Sequence, residues 1–245
     1  MTKKALTVEH IYKSFGARET LNDISLSVDA NEILGFIGLN GAGKTTLIKI
    51  IIDLLDSDSG QVKIFDQDHK SPNSRRNICY LPEKFQPSNY LTGIDFIKLN
   101  LGLHGVDFNL KEAEILSEKL DLDPKFLPEK ISKYSKGMTQ KIGLIASFLT
   151  QNKLIILDEP MSGLDPKARI VLKNQLLDYK TQGKSIFFSS HILSDIDEIC
   201  DKIVILHDGK IIFTGNSNIL KKEHNTDNLE KAFIKSISIN TNNQT

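Results

Sequence analysis

The run Gly38-Leu39-Asn40-Gly41-Ala42-Gly43-Lys44-Thr45-Thr46 fits the pattern G-x-x-x-x-G-K-[ST], whose chemistry is phosphate binding. Its glycines let successive backbone N–H groups converge on phosphate oxygens, and the start of the following helix adds partial positive charge. Lys44 brings a full charge to the β- and γ-phosphates, and Thr45 a hydroxyl for Mg²⁺. The flanks agree: residues 32–37 are nearly all apolar and predict a strand, and residues 44–54 predict a helix.

Leu154-Ile155-Ile156-Leu157 predicts a buried strand that delivers Asp158 and Glu159 at its C-terminal end, where open α/β sheets place their ligands. Beside a phosphate loop, Asp158 suits Mg²⁺ and Glu159 suits a base that orients and deprotonates an attacking water. Alone, the pair has a second, less common reading as solvated acids at a strand end. His191 follows Ser189-Ser190 at the end of another expected strand. Its imidazole can reach the same edge, bond a γ-phosphate and hold Glu159 and the water in register, although a lone histidine there is more often a packing or surface residue.

Ser135 suits the N-cap of a helix whose Met138, Ile142, Ile145, Ala146 and Leu149 share one face. Its hydroxyl and the first free N–H groups make a second anion site. One ligand meets both that site and Lys44 only if the chain folds back a long way, and a second copy of the chain resolves this geometry. An ordinary capped amphipathic helix is the alternative.

These residues need a scaffold. Between residues 7 and 28, short apolar runs broken by Asn22-Asp23 predict two or three antiparallel strands, a hairpin layer with polar faces. Residues 61–65 and 77–81 read as strands, residues 91–149 as helices, and the apolar runs at 154–157, 185–189 and 203–206 as buried strands alternating with helices. Asp208-Gly209 predicts a hairpin turn into residues 210–214. The expected fold is α/β: a phosphate-loop core with a mainly parallel sheet, an N-terminal antiparallel β subdomain and a helical subdomain at about 88–150. One domain covers 1–237, and the Asn-, Thr- and Ser-rich stretch 238–245 is expected to fray.

Composition narrows the class. The 245 residues are 40% hydrophobic and 25% charged, which excludes a wholly disordered chain. Lys+Arg 31 balances Asp+Glu 31, so bulk charge points to neither a nucleic-acid partner nor an anionic membrane surface. No apolar run approaches the roughly 18 residues of a membrane span, nor the apolar core of a signal peptide. Cys79 and Cys200 stand far apart without metal-ligand spacing and read as ordinary buried thiols.

Taken together and in order, the motifs resemble the nucleotide-binding subunit of an ABC transporter over about residues 6–215. The resemblance identifies Gly38 to Thr46 as a Walker A loop, with Asn40, Gly41, Ala42, Gly43, Lys44, Thr45 and Thr46 around the phosphates, and residues 154–159 as a Walker B strand. Ser135 and Gly137 fall in the signature, Ser162-Gly163-Leu164-Asp165 looks like the D-loop, His191 like the switch histidine, and Phe15 like the aromatic that stacks on adenine. Tyr134, Lys136 and Met138 depart from the family's usual signature residues. Glu83, after Tyr80-Leu81-Pro82, stands where the family usually has Gln. Glu83 then either joins Thr45 and Asp158 at Mg²⁺ or turns toward a partner.

That phrase is similar to the single-cassette subset paired with a type 2 permease, often an exporter. The resemblance implies ATP and Mg²⁺, ATP hydrolysis, a head-to-tail dimer with a second copy, an integral membrane permease partner and a place on the cytoplasmic face of the membrane. A soluble ABC ATPase of assembly or regulation, or a non-catalytic ATP-gated module, are the rival readings; Glu159 argues against the latter.

Overall fold

Strands that are apolar on both faces need a hydrophobic layer on each side, and the computed structural model, which describes residues 3–242, supplies both. The chain opens with an antiparallel hairpin of β1 (Lys4–Phe15) and β2 (Arg18–Asp29), then β3 (Ile33–Gly38), the glycine loop and α1 (Lys44–Ile51). β4 (Ser59–Ile64), β5 (Gln67–Asp68) and α2 (Pro72–Arg75) lead to β6 (Ile78–Leu81). The helical subdomain follows as α3 (Gly93–Leu103), α4 (Leu110–Lys119) and α5 (Lys136–Leu149). The chain then alternates through β7 (Leu154–Asp158), α6 (Pro166–Thr181), β8 (Ser185–Ser190), α7 (Leu193–Ile199) and β9 (Lys202–His207). It closes with β10 (Lys210–Gly215), α8 (Ser217–Glu223) and α9 (Leu229–Asn242).

The central sheet has the order β10-β9-β3-β8-β7-β6, parallel except for the β9–β10 hairpin. Successive residues alternate between its two cores. Ile155, Leu157, Ile186, Phe188, Ile203 and Ile205 face the core that includes the helical subdomain's Ile97, Leu101 and Ile142. Leu154, Ile156, Phe187, Val204 and Leu206 face the core shared with α1 and the second sheet, ordered β2-β1-β4-β5. The expected α/β fold with its antiparallel and helical subdomains is therefore present. The turn between β9 and β10 also follows its sequence: Asp208 and Gly209 both have positive φ (44° and 71°), as the two-residue hairpin turn requires.

Two expectations fail. The hairpin layer is polar on one face only, since Leu6, Val8, Ile11, Leu21, Ile24, Leu26 and Val28 are buried. Register shifts between Val8 and Ile11, with His10 at φ 51°, move the buried residues from even to odd positions and blur the alternation. The stretch expected to fray is helical through Asn242. The residues that anchor this helix, Leu229, Ala232, Phe233 and Ser236, are buried at helical spacing and precede that stretch. Residues 243–245 of that expectation lie outside the described residues.

Candidate nucleotide-binding site

Three adjacent strands of the parallel sheet, β3, β8 and β7, bring the sequence-distant groups to one edge. At the end of β3 the loop turns into α1 through Gly43, whose φ of 109° lies in the left-handed region. A Cβ there would come within 2.8 Å of Leu21 Cδ2 and 3.0 Å of the Thr20 carbonyl, so both conformation and space require glycine. No side chain caps α1, which leaves its first N–H groups for an anion. Lys44 is buried and its Nζ donates to the carbonyl oxygens of Gly38 (2.7 Å) and Leu39 (3.4 Å).

Asp158 and Glu159 end β7 beside β8. Thr45 Oγ1 donates to Asp158 Oδ2 at 3.0 Å, and Ser189 Oγ donates to Asp158 Oδ1 at 2.5 Å. The same Ser189 hydroxyl accepts the backbone N–H of Glu159 at 3.0 Å. Glu159 itself adopts φ 52°, a left-handed conformation in a non-glycine residue of the kind that persists where the surroundings over-determine it. Its carboxylate is shared: Oε1 lies 3.7 Å from Lys44 Nζ, and Oε2 lies 2.7 Å from His191 Nδ1 and accepts the His191 backbone N–H at 3.3 Å. Facing a carboxylate, Nδ1 carries the imidazole proton and Nε2 is left to accept or relay another.

Lys44, Thr45, Asp158, Glu159 and His191 line one cavity of about 640 Å³ with Phe15, Asn40, Gly41, Thr46 and Glu83. Phe15 is half exposed, and the Lys13 ammonium lies 5.6 Å from its ring centroid. Glu83 is exposed at the rim. The Tyr80 phenol behind it is pushed up to about 12 by burial and by the charges of Asp158 and Glu83. The Thr45–Asp158 pair fits Mg²⁺: two hard oxygen donors suffice for an ion that keeps several waters and takes phosphate oxygens. No cluster of three or more His, Cys, Asp or Glu forms a metal cage among the described residues.

The remaining expected residues stand apart. Ser135 caps α5, its Oγ accepting the Met138 N–H at 3.2 Å, and it is exposed outside this cavity. Gly137 is half-buried, 3.7 Å separating the position its Cβ would take from the Gly163 carbonyl. Asp165 caps α6 by accepting the Ala168 N–H at 2.9 Å. Sequence alone does not single out Ser189, which donates to the Asp158 carboxylate and accepts the Glu159 backbone N–H, nor Arg18, Thr20 and Lys84 as cavity residues. The Ser-Ser-His run at a strand end could have signalled Ser189; nothing local marks Arg18.

Residues 21–162 match the family described as ABC transporter, a span that contains the phosphate loop, Ser135, Asp158 and Glu159. An ABC transporter ATP-binding protein of Nostoc sp. is 36% identical over 211 residues, covering 84% of this chain and 63% of its own length. The lantibiotic transport ATP-binding protein SrtF of Streptococcus pyogenes is 33% identical over 231 residues, 93% of this chain and 95% of its own. The chain spans about three-fifths of the length of the Nostoc relative and of a similar Synechocystis protein, 63% and 57%. Among solved structures, an ATP binding subunit of an ABC transporter superposes with a TM-score of 0.87 at 30% identity, covering 95% of this chain and 99% of that one. With the family match spanning more than half its length and the same fold around the same loop, the chain belongs to the ABC transporter family of ATP-binding proteins.

Proposed function

We propose that the chain binds and hydrolyses ATP as the nucleotide-binding subunit of a transporter, with a separately encoded integral membrane permease as its partner. The observation that carries this reading is the convergence of Lys44, Thr45, Asp158, Glu159 and His191 on one cavity at the C-terminal edge of the sheet. Lys44 and the loop N–H groups bind the β- and γ-phosphates, and Phe15 offers a ring for the base. Bound at Thr45 and Asp158, Mg²⁺ supplies charge neutralisation of the phosphate oxygens. Glu159 orients the attacking water and accepts its proton, and His191 holds that carboxylate in place through Oε2.

Ser135 and Gly137 lie too far from this cavity within one chain to line it. In our reading they meet the triphosphate of a second copy in a head-to-tail, two-fold dimer, closed by ATP and released by hydrolysis. The chain then works at the cytoplasmic face of a membrane, held there by the permease. No helix among the described residues is long and apolar enough to cross a membrane. Export as the direction of transport is supported by the Tyr80-Leu81-Pro82-Glu83 phrase and its similarity to subunits paired with type 2 permeases.

The test is steady-state ATPase activity of the purified chain with Mg²⁺, in the parent and in Glu159→Gln. The amide preserves shape and loses the base, so the variant retains ATP affinity, turns over at least about a hundredfold more slowly and accumulates as an ATP-bound dimer in size-exclusion chromatography. Turnover near the parent rate would place the base elsewhere.

A further inference from the structure

Arg18 is a cation that the described structure leaves without an acid. It is exposed and opens β2, directly opposite Phe15 at the last pair of the β1–β2 register. Directly paired residues project from the same face of a sheet, as do residues two apart along a strand. Phe15, Arg18 and Thr20 accordingly line the same cavity as the phosphate loop. The neighbouring charges of the hairpin are engaged elsewhere: Lys13 pairs with Asp58 at 2.8 Å, and Glu19, on the opposite face, accepts from the Asn22 amide at 2.8 Å. No hydrogen bond or ion pair joins the Arg18 guanidinium to another described residue.

We propose that Arg18 is a nucleotide-binding residue whose guanidinium takes the phosphate nearest the ribose while Phe15 holds the base. This rests on the nucleotide-site reading above and adds a residue to it. Lys44 has its own buried seat against the Gly38 and Leu39 carbonyls and addresses the terminal phosphates. The hairpin presents its ring and its guanidinium side by side, and in a nucleotide the group one ribose away from the base is the α-phosphate. A guanidinium matches that group because it offers two parallel donors to two oxygens of one phosphate. Lys13 cannot take the role, since it already lies against the Phe15 ring and Asp58. One consequence is specific: a contact to the α-phosphate counts equally for ATP and ADP and not at all for adenosine.

The experiment is calorimetric titration of the purified full chain with ATP, ADP and adenosine, in the parent, Arg18→Ala, Arg18→Lys and Lys44→Ala. Arg18→Ala is expected to weaken ATP and ADP by the same factor of about tenfold, with adenosine unchanged. Arg18→Lys recovers part of the loss, because charge returns without the paired donors. Unchanged ATP and ADP affinity in Arg18→Ala overturns the proposal, as does a loss confined to ATP, which would place the side chain at the γ-phosphate. An equal loss for adenosine also overturns it, by assigning Arg18 to the ring platform alone. If the parent binds no nucleotide, the site reading itself falls; if the parent binds and Lys44→Ala abolishes binding while Arg18→Ala matches the parent, only the Arg18 assignment falls. Unfolding midpoints of the variants, expected to match the parent for this exposed residue, separate a lost contact from a damaged hairpin.

Discussion

The chain carries two helix starts that can meet an anion, and they are built in opposite ways. α1 has a glycine in left-handed conformation where a capping side chain would be, a buried lysine as its first residue and a cavity in front of it. α5 has Ser135 already accepting the Met138 N–H, and its exposed first residues front no part of that cavity. A helix start without a cap is incomplete until a ligand arrives, whereas a capped one is stable alone and has donors only in reserve. The first is therefore open to a ligand in one chain; on the function proposed above, the second would become a site only when another chain brings the ligand to it.

Breaking the first site should have the largest effect. Lys44→Ala removes a desolvated charge from the phosphates, and ATP affinity should fall by about a hundredfold or more in calorimetry. Affinity equal to the parent would sink the phosphate-loop reading.

The second site should give a smaller, divided response. Ser135→Ala loses the cap, with an expected stability loss of ~1 kcal/mol in chemical denaturation. ATP affinity of the monomer should hold while ATP-driven dimerisation of a Glu159→Gln background weakens, as read by sedimentation. If the dimer forms equally well, α5 is only a capped helix.

The smallest change is expected at Glu83, which touches the cavity rim without a bond to Thr45 or Asp158. Glu83→Gln should leave the isolated chain's ATPase within about threefold of the parent, as is usual for an exposed side chain, and weaken its stimulation by a co-purified permease. A hundredfold loss in the isolated chain would instead make Glu83 a metal ligand and shift the weight of the comparison back to α1.

What was legible in the residues follows from how local each feature is. The phosphate loop, its strand and its helix lie within a few consecutive turns of chain, so pattern and context coincide. The parallel strands show as four-residue apolar runs because both faces are buried. Ser189 and Arg18 acquire their places through register, β8 beside β7 and β2 opposite β1, which no single stretch of chain encodes. The hairpin's buried face is hidden by its register shifts, and α8 and α9 by a polar composition in which a few apolar residues at helical spacing suffice. Glu83 is readable as a departure from a family pattern, but its neighbourhood is set by the Tyr80 phenol, which only the fold brings beside Asp158.

The strand order also governs when the cavity can exist during synthesis. β3 delivers the glycine loop early, yet its sheet neighbours are β8 and β9, both made much later, and β7 reaches the loop only through β8. Until β8 has emerged, Lys44 and Thr45 have neither the acids nor the serine that face them, and pairing so remote in sequence is slow to form. A nucleotide that binds only the finished arrangement stabilises complete chains and not partial ones, so any nucleotide this cavity takes is also a ligand for the correct assembly of its sheet.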